Sequence, residues 1–298
     1  MIWMRHLLES WLFALLMVVT WFLPRWMVRS IGRLAGDLGR LLDRRHHAIA
    51  LSNLSAALPD LDRSGREQIA RNCWRHFGEV LLDTLNFRKL GPQAVGRVVH
   101  YEGLEHLEQA CSMGRGVLVF TGHFGHWELM ALMQGYIGYP MSFIARPLDN
   151  RRLETRLASL RERSGNTLVY KRSAVRALLQ TIRDGRIAGI LIDQDARNDG
   201  VFVPFFHRAA STTPTLALLA IRTGAPIVPF RSVPGPGGSW RIIYQPAVLA
   251  DPGAERAAEV QRVTALCTSI IEEWIREHPE LWLWMHRRWK TRPAPRVE

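Results

Sequence analysis

The sequence predicts an α/β fold, with a mostly parallel central sheet flanked by helices and preceded by an N-terminal membrane helix. First, short apolar runs such as residues 117–120 and 187–193 alternate with segments of helical periodicity, as in parallel sheets that are buried on both faces. Second, the 298 residues suffice for one large domain of this kind. Third, residues 11–23 contain no charged side chain.

Composition and charge favour an anionic partner. Lys and Arg number 39 against 27 Asp and Glu, which gives a formal net charge of +12. Nucleic acid is the weaker choice, because the chain has no zinc-knuckle spacing, RNP-like segment or basic low-complexity tail. The 11 tryptophans suit a lipid–water boundary. The three separated cysteines indicate reduced thiols without a catalytic role. An anionic membrane surface or an acidic carrier protein is therefore expected.

Residues 1–30 are predicted to form a membrane anchor, and residues 31–298 the catalytic domain. As a helix, residues 11–23 span roughly 20 Å, short of a ~30 Å hydrocarbon core, whereas residues 7–28 reach spanning length. No small-residue cleavage site follows, which argues against a signal peptide. The excess of arginine after the segment favours the cytoplasmic side for the catalytic body. The helix is expected to span the membrane or to be half-embedded, and an ordinary core helix is the alternative.

The segments between the anchor and the central strand are predicted to be structural. Residues 44–58 and 66–87 have amphipathic patterns without a reactive pairing, so they are expected to form helices that cover the sheet. A short strand at residues 98–101 and a helix at residues 104–111 lead into the central strand.

Residues 116–130 carry the strongest functional pattern. The strand ends at a Thr-Gly pair, and His123 follows at the edge where open α/β sheets bind ligands. Glu128 begins the next helix, and its carboxylate is expected to fold back onto the His123 ring and fix its tautomer. The pair would supply a neutral imidazole that takes a proton from an alcohol. His126 is a competing base with a poorer spacing to Glu128, and a purely structural histidine is the other interpretation.

Strands and helices alternate towards the C-terminus. Strands are predicted at residues 140–146, 187–193, 224–230 and 240–244, and helices at residues 151–164, 173–184 and 255–277. The helix at residues 151–164 is basic on one side and apolar on the other, so it packs against another element. Asp193 and Asp195 follow a strand end, but a metal site there lacks support from further ligands at suitable spacing.

The segment His123-Phe-Gly-His-Trp-Glu128 resembles the H-x4-D/E signature of glycerolipid-type acyltransferases. The whole chain resembles the lipid A late acyltransferases, the lauroyl/myristoyl transferase family of Gram-negative bacteria. Further matching blocks are the Asp193-Gln194-Asp195 triplet followed by Val-Pro-Phe-Phe, and the Trp- and Arg-rich end at residues 278–293. His207 departs from the pattern, because family members commonly have glycine there. The matching blocks cover roughly residues 40 to 293.

The resemblance implies an acyl-carrier-protein-dependent O-acyltransferase that acts on a lipid A precursor at the cytoplasmic face of the bacterial inner membrane. It implies His123 as general base and Glu128 as support for the imidazolium that forms. Arg146 is then expected near the anionic headgroup, and Arg161 or Arg163, with Arg163 favoured, at the oxyanion or a phosphate. No metal or bound cofactor is expected, because a thioester is already activated.

Two further sets of side chains are expected to touch substrate or membrane. We expect hydrogen bonds from substrate hydroxyls, or from the arginines, to the triplet formed by Asp193, Gln194 and Asp195. Contacts with lipid phosphates at the membrane surface are assigned to Arg287, Arg288 and Lys290, among Trp282, Trp284 and Trp289. A capping helix with snorkelling arginines is the alternative for this end of the chain.

Two other functions stay open. One is the same chemistry on another glycolipid or aminolipid acceptor. The other is a non-catalytic membrane-surface binding protein of the same fold, against which the intact His123 and Glu128 argue.

Overall fold

A seven-stranded sheet forms the centre of the computed structural model, which describes residues 2–170 and 174–294. Its strands are β1 Val99–Glu102, β2 Val117–Thr121, β3 Met141–Ala145, β4 Thr167–Tyr170, β5 Ile187–Leu191, β8 Ile227–Pro234 and β9 Trp240–Tyr244. Their spatial order is β1-β9-β8-β2-β5-β3-β4. All neighbours are parallel except β8 and β9, which form an antiparallel pair. The predicted α/β class with a mostly parallel sheet is therefore confirmed.

Helices flank this sheet, and a small hairpin of β6 Val201–Phe205 and β7 Arg208–Thr212 lies apart from it. The helices are α1 Ile2–Phe22, α2 Arg25–Leu42, α3 Arg44–Ala57, α4 Arg63–Leu85, α5 Leu104–Ser112, α6 Trp127–Tyr136, α7 Arg151–Glu162, α8 Ala174–Arg183, α9 Thr215–Thr223 and α10 Arg256–Glu277. The prediction omitted α2, and the continuous helix expected over residues 7–28 is wrong, because the chain breaks at Pro24. Ser173, the first residue of a predicted helix, lies outside the described residues.

The central strand β2 divides two apolar cores. All five of its residues are buried, and their side chains alternate between the faces of the sheet. Leu118 and Phe120 pack into a core with α8, α9 and α10, whereas Val117 and Val119 pack into a core with α5 and α6. Burial on both faces explains why the strand reads as an unbroken apolar run.

Helices α2 and α4 pack with their backbones in contact. A Cβ atom on Gly78 would lie 2.2 Å from the carbonyl oxygen of Gly32, and one on Gly36 would lie 2.2 Å from that of Trp74. Only glycine permits so close an approach at these positions. The glycines thus bring α2, which directly follows α1, into close contact with α4.

Helix α1 is the one described helix that is long and apolar enough to cross a membrane, over Trp3–Phe22. Its inward side, with Ser10, Met17 and Thr20, is buried against α4, α7 and the loop around Lys89. Most of its other side chains are large, apolar and exposed.

Candidate active site

His123 and Asp193 meet at the carboxyl edge of the sheet. His123 follows β2 and Asp193 follows β5, and these strands are parallel neighbours in which Thr121 pairs with Leu191. The His123 backbone N–H donates to Asp193 Oδ2 at 2.7 Å, and Nδ1 lies 2.8 Å from Oδ1. Trp282 Nε1 donates to Oδ2 at 2.8 Å. Asp193 therefore accepts three hydrogen bonds, two of them from His123.

These contacts decide the charges of both groups. Burial alone would raise the pKa of Asp193, but the charge of His123 and the hydrogen bonds from His123 and Trp282 outweigh it and lower the pKa to about 2. Burial would lower the pKa of His123, and the charge and hydrogen bond of Asp193 overcome this and raise it. An ionised Asp193 holds the proton on Nδ1, which leaves the lone pair on Nε2.

The predicted contact between Glu128 and His123 is wrong. Glu128 forms a two-pronged ion pair with Arg161, in which Nε donates to Oε2 at 2.9 Å and Nη2 donates to Oε1. Glu128 is the second residue of α6 and reaches towards α7, while Asp193 on the neighbouring strand already occupies Nδ1 of His123. The charge of Glu128 still adds a smaller upward shift to the pKa of His123. Glu128 is therefore close to the histidine without bonding to it.

The other predicted arginines have different surroundings. Arg161 has Nε and Nη2 committed to Glu128, so it is not a free anion clamp. Arg146 is exposed directly after β3, which pairs with β5, so it lies at the same edge as Asp193. Arg163 is exposed at the C-terminal end of α7.

The C-terminal segment covers this edge of the sheet as an irregular chain, not a helix. Asp195 is bound to it, since Thr291 Oγ1 donates to its Oδ2 at 2.9 Å and its own N–H donates to His286 Nε2 at 3.1 Å. Gln194 has an exposed side chain. Neither Asp193 nor Asp195 bonds to an arginine side chain among the described residues, because Asp193 is bonded to His123 and Trp282 and Asp195 to Thr291. Their expected contact with substrate hydroxyls, like that of Gln194, stays a prediction.

Arg288 does not face a membrane, so its predicted phosphate contact is wrong. Its side chain is fully buried, donates to the Ser211 carbonyl at 2.6 Å and to Thr212 Oγ1, and lies over the Phe205 ring. Burial lowers the pKa of Arg288 to about 10, so the guanidinium remains charged near neutral pH. The neighbouring tryptophans Trp282, Trp284 and Trp289 are also buried. Arg287 and Lys290 are exposed, and their predicted contact with phosphates stays a prediction.

His126 is excluded as the general base because it is fully buried. Its Nδ1 accepts the Leu129 N–H at 3.3 Å and so caps α6. Its Nε2 lies 3.3 Å from Asp83 Oδ2, and Arg25 clamps the same carboxylate with bonds of 2.5 to 3.1 Å. Sequence reasoning missed Asp83 and Arg25. The sequence signal for Asp83 is its position as the one carboxylate within the largely apolar residues 80–85, which indicates a buried and paired acid.

The turn between His123 and His126 is held from several sides. Gly125 has φ +59°, its N–H donates to the Leu281 carbonyl at 2.9 Å, and its own carbonyl accepts from His76 Nε2 at 3.0 Å. Burial lowers the pKa of His76 to about 3, so this donor is neutral. A Cβ atom at Gly122 would lie 3.0 Å from Asp193 Oδ2. Gly122 therefore allows the close approach that joins His123 to Asp193.

A groove of about 540 Å³ lies elsewhere on the molecule. Its lining residues, Arg40, Arg63, Ser64, Glu67, Gln68 and Arg71, come from α2 and α4. None of them belongs to the group around His123, and their polar character does not suit an acyl chain.

Comparisons with known proteins identify relatives along nearly the whole chain. The family model described as bacterial lipid A biosynthesis acyltransferase matches residues 2–291. A lipid A biosynthesis palmitoleoyltransferase of Escherichia coli (strain K12) is 28% identical over 289 residues, which cover 93% of this chain and 92% of the relative. A lauroyltransferase of lipid A biosynthesis from the same organism is 28% identical, over 95% of this chain and 92% of its own. A phosphatidylinositol mannoside acyltransferase of Mycobacterium tuberculosis is 26% identical, over 83% and 76%.

Proposed function

The chain belongs to the bacterial lipid A biosynthesis acyltransferase family, and we propose that it transfers a fatty acyl chain from acyl carrier protein to a hydroxyl of a lipid A precursor. The observation that carries this proposal is the His123–Asp193 pair at the carboxyl edge of the sheet. At pH values above the raised pKa of His123, the pair supplies the general base that acyl transfer to an alcohol needs, a neutral imidazole with its lone pair on Nε2. The +12 net charge suits two acidic substrates, a carrier protein and a phosphorylated glycolipid.

In the proposed reaction, His123 Nε2 removes the hydroxyl proton while the oxygen attacks the thioester carbonyl carbon. The ionised Asp193 stabilises the imidazolium that forms, as the buried acid does in catalytic triads. Collapse of the tetrahedral intermediate breaks the carbon–sulfur bond. The imidazolium then returns its proton to the departing thiolate, and the ester and the free carrier thiol are the products.

The developing oxyanion requires a positive group near His123. Backbone amides at the start of α6, four residues after His123, suit this role, because a helix N-terminus carries partial positive charge. We propose that Glu128 positions Arg161 beside the same turn through their ion pair, and that the pair influences the electrostatic potential at the His123 ring. Arg146 and Arg163 remain the proposed contacts for the anionic headgroup.

We place the reaction at the cytoplasmic face of the bacterial inner membrane, with α1 as the attachment. The apolar character of α1 supports this location. The exposed cations Arg287 and Lys290 are the proposed contacts with lipid phosphates.

The test is transfer by the purified protein, supplied with a panel of acyl-carrier donors and a tetra-acylated lipid A precursor. His123→Ala is expected to lower turnover by about 100-fold or more, the usual scale for loss of a general base. His100→Ala is the matched control, because His100 is exposed on β1 and lies outside the site. Near-normal transfer by His123→Ala would refute the mechanism.

A second acceptor class is supported by the phosphatidylinositol mannoside acyltransferase among the relatives. The same chemistry on another glycolipid or aminolipid would give transfer with those acceptors and none with the lipid A precursor. Mass spectrometry of lipids from a deletion strain distinguishes the two. A non-catalytic binding protein of this fold would show no transfer to either.

A further inference from the structure

The first two helices expose an unusual amount of apolar surface. Most large apolar side chains that are exposed in the described part of the chain lie within residues 3–42. On α2 they form a helical stripe of Ile31, Leu34, Leu38 and Leu41, opposite the face with Gly32 and Gly36 that packs on α4. An exposed apolar stripe of this size indicates a surface that contacts another apolar partner.

Helix α1 is bonded to the body of the protein near both of its ends. Towards its start, Asn150 Nδ2 donates to the His6 carbonyl at 2.7 Å. At its end, Lys89 Nζ donates to the carbonyls of Thr20 and Leu23 at 2.9 and 2.8 Å. The bonded carbonyls of residues 6 and 20 lie about 21 Å apart along the helix. The rest of the protein therefore lies alongside α1 between these two points of attachment.

These contacts are incompatible with a helix that crosses the bilayer. If α1 stood upright in a membrane, its two bonded ends would lie at depths about 20 Å apart. The polar side chains Asn150 and Lys89, with the loops that carry them, would then enter the hydrocarbon core, where backbone groups without hydrogen-bond partners are strongly unfavourable.

We infer that α1 does not span the membrane but lies in the plane of its surface together with α2, with both exposed apolar sides embedded among the lipid headgroups and upper acyl chains. The occupant of this surface is a lipid bilayer, because exposed tryptophans such as Trp3, Trp11 and Trp26 suit the interface. Arg5 and Arg33 on the same helices pair with Glu9 and Glu79 through Nε, yet their side chains stay 62% and 55% exposed, which suits contact with anionic headgroups. This inference rests on the proposed function, because a membrane-borne acceptor requires the enzyme to work at a lipid surface.

Spin labels at three positions of α1 test the orientation. Leu8, Leu15 and Phe22 are 70%, 59% and 79% exposed, and their seven-residue spacing places them on one side of the helix. Each is replaced by cysteine in the full-length Cys111→Ser protein, because the other two cysteines are buried. Collision with oxygen and with a water-soluble nickel complex then reports the depth of each label in vesicles of phosphatidylethanolamine and phosphatidylglycerol.

An in-plane helix gives three similar depths, just below the headgroups. A spanning helix gives depths that change by about 10 Å from one label to the next, and this result would overturn the inference, as would three labels in water. Labels at Leu34 and Leu41 on α2 are expected at the depth of those on α1. Acyl transfer is measured on the same samples, so equal depths without transfer would count against the proposed reaction and not against the orientation.

Discussion

Asp193 Oδ1 holds the Nδ1 proton of His123, and this contact links the charge of the ring to the pH. The raised pKa of His123 means that its contribution to stability is complete below about pH 6.5 and is lost as the pH rises through the higher folded value. The lowered pKa of Asp193 means that its contribution is complete above about pH 4 and is lost as the pH falls towards about 2. The pair therefore stabilises the fold most between about pH 4 and 6.5.

A base must be neutral to act, so transfer should increase with pH through the raised pKa of His123. Asp193→Asn removes the largest upward influence on that pKa, and we expect the acidic limb of the pH–rate profile to move to lower pH. The plateau should also fall, by about 100-fold or more, because the imidazolium loses its support. The measurement is kcat/KM for transfer between pH 5 and 9.

Glu128→Gln is the matched comparison for this profile. Glu128 makes the smallest of the upward contributions to the pKa of His123, so its neutralisation should shift the limb by less than Asp193→Asn does. A larger shift for Glu128→Gln would mean that Glu128, and not Asp193, controls the histidine.

Helices α2 and α4 join the exposed apolar surface of the first two helices to the turn that holds His123. Their glycine contacts bring the backbones together, and Asp83 on α4 lies between Arg25 at the start of α2 and His126 in the turn. Burial would raise the pKa of Asp83, but its bonds with Arg25 and His126 hold it well below its usual range. A carboxylate that is fully buried and charged depends on these partners.

Asp83→Asn is therefore expected to destabilise the protein by about 3–5 kcal/mol, the scale for removing one partner of a buried ion pair. Asp37→Asn is the matched control, because Asp37 on α2 pairs with Arg71 and Arg75 of α4 but is partly exposed. Pairs of that kind contribute at most about 1 kcal/mol. Unfolding in denaturant, followed by far-UV circular dichroism, gives both values, and equal losses for the two variants would contradict this assignment.

The molecule as a unit combines a net charge of +12 with a large apolar surface on its first two helices. Charge attracts an anionic membrane over distances of about 10 Å at 0.1 M salt, whereas apolar burial acts only on contact and resists salt. The two contributions to membrane binding can therefore be separated by ionic strength.

We expect the protein to prefer vesicles with anionic lipid over zwitterionic vesicles at 0.1 M salt, and to lose this preference at 1 M salt while staying bound. Cosedimentation with the two kinds of vesicle measures the bound fraction. Complete release at 1 M salt would show that charge alone holds the protein at the membrane.

The order of neighbouring residues in the sequence is sufficient to predict several elements of this protein. The apolar run of β2, the position of His123 after it and the apolar character of residues 11–23 are visible in the amino-acid order, because strand burial and helix hydrophobicity depend on neighbouring residues. The blocks around residues 123–128, 193–195 and 278–293 also indicated the acyltransferase family, which the match over residues 2–291 confirms.

Contacts between distant residues required the folded chain. Asp193 and His123 are 70 positions apart in the sequence and meet because β2 and β5 are parallel neighbours. The residues around each of them contain no pattern that predicts this contact. The nearer acid, Glu128, was the natural local choice, yet α6 directs it to Arg161. The sequence around Arg288 likewise predicts a surface cation, whereas the packing of the C-terminal segment buries its side chain. Sequence spacing limits which groups can meet within one element, whereas the sheet order and the cover of the C-terminus select which groups meet between elements.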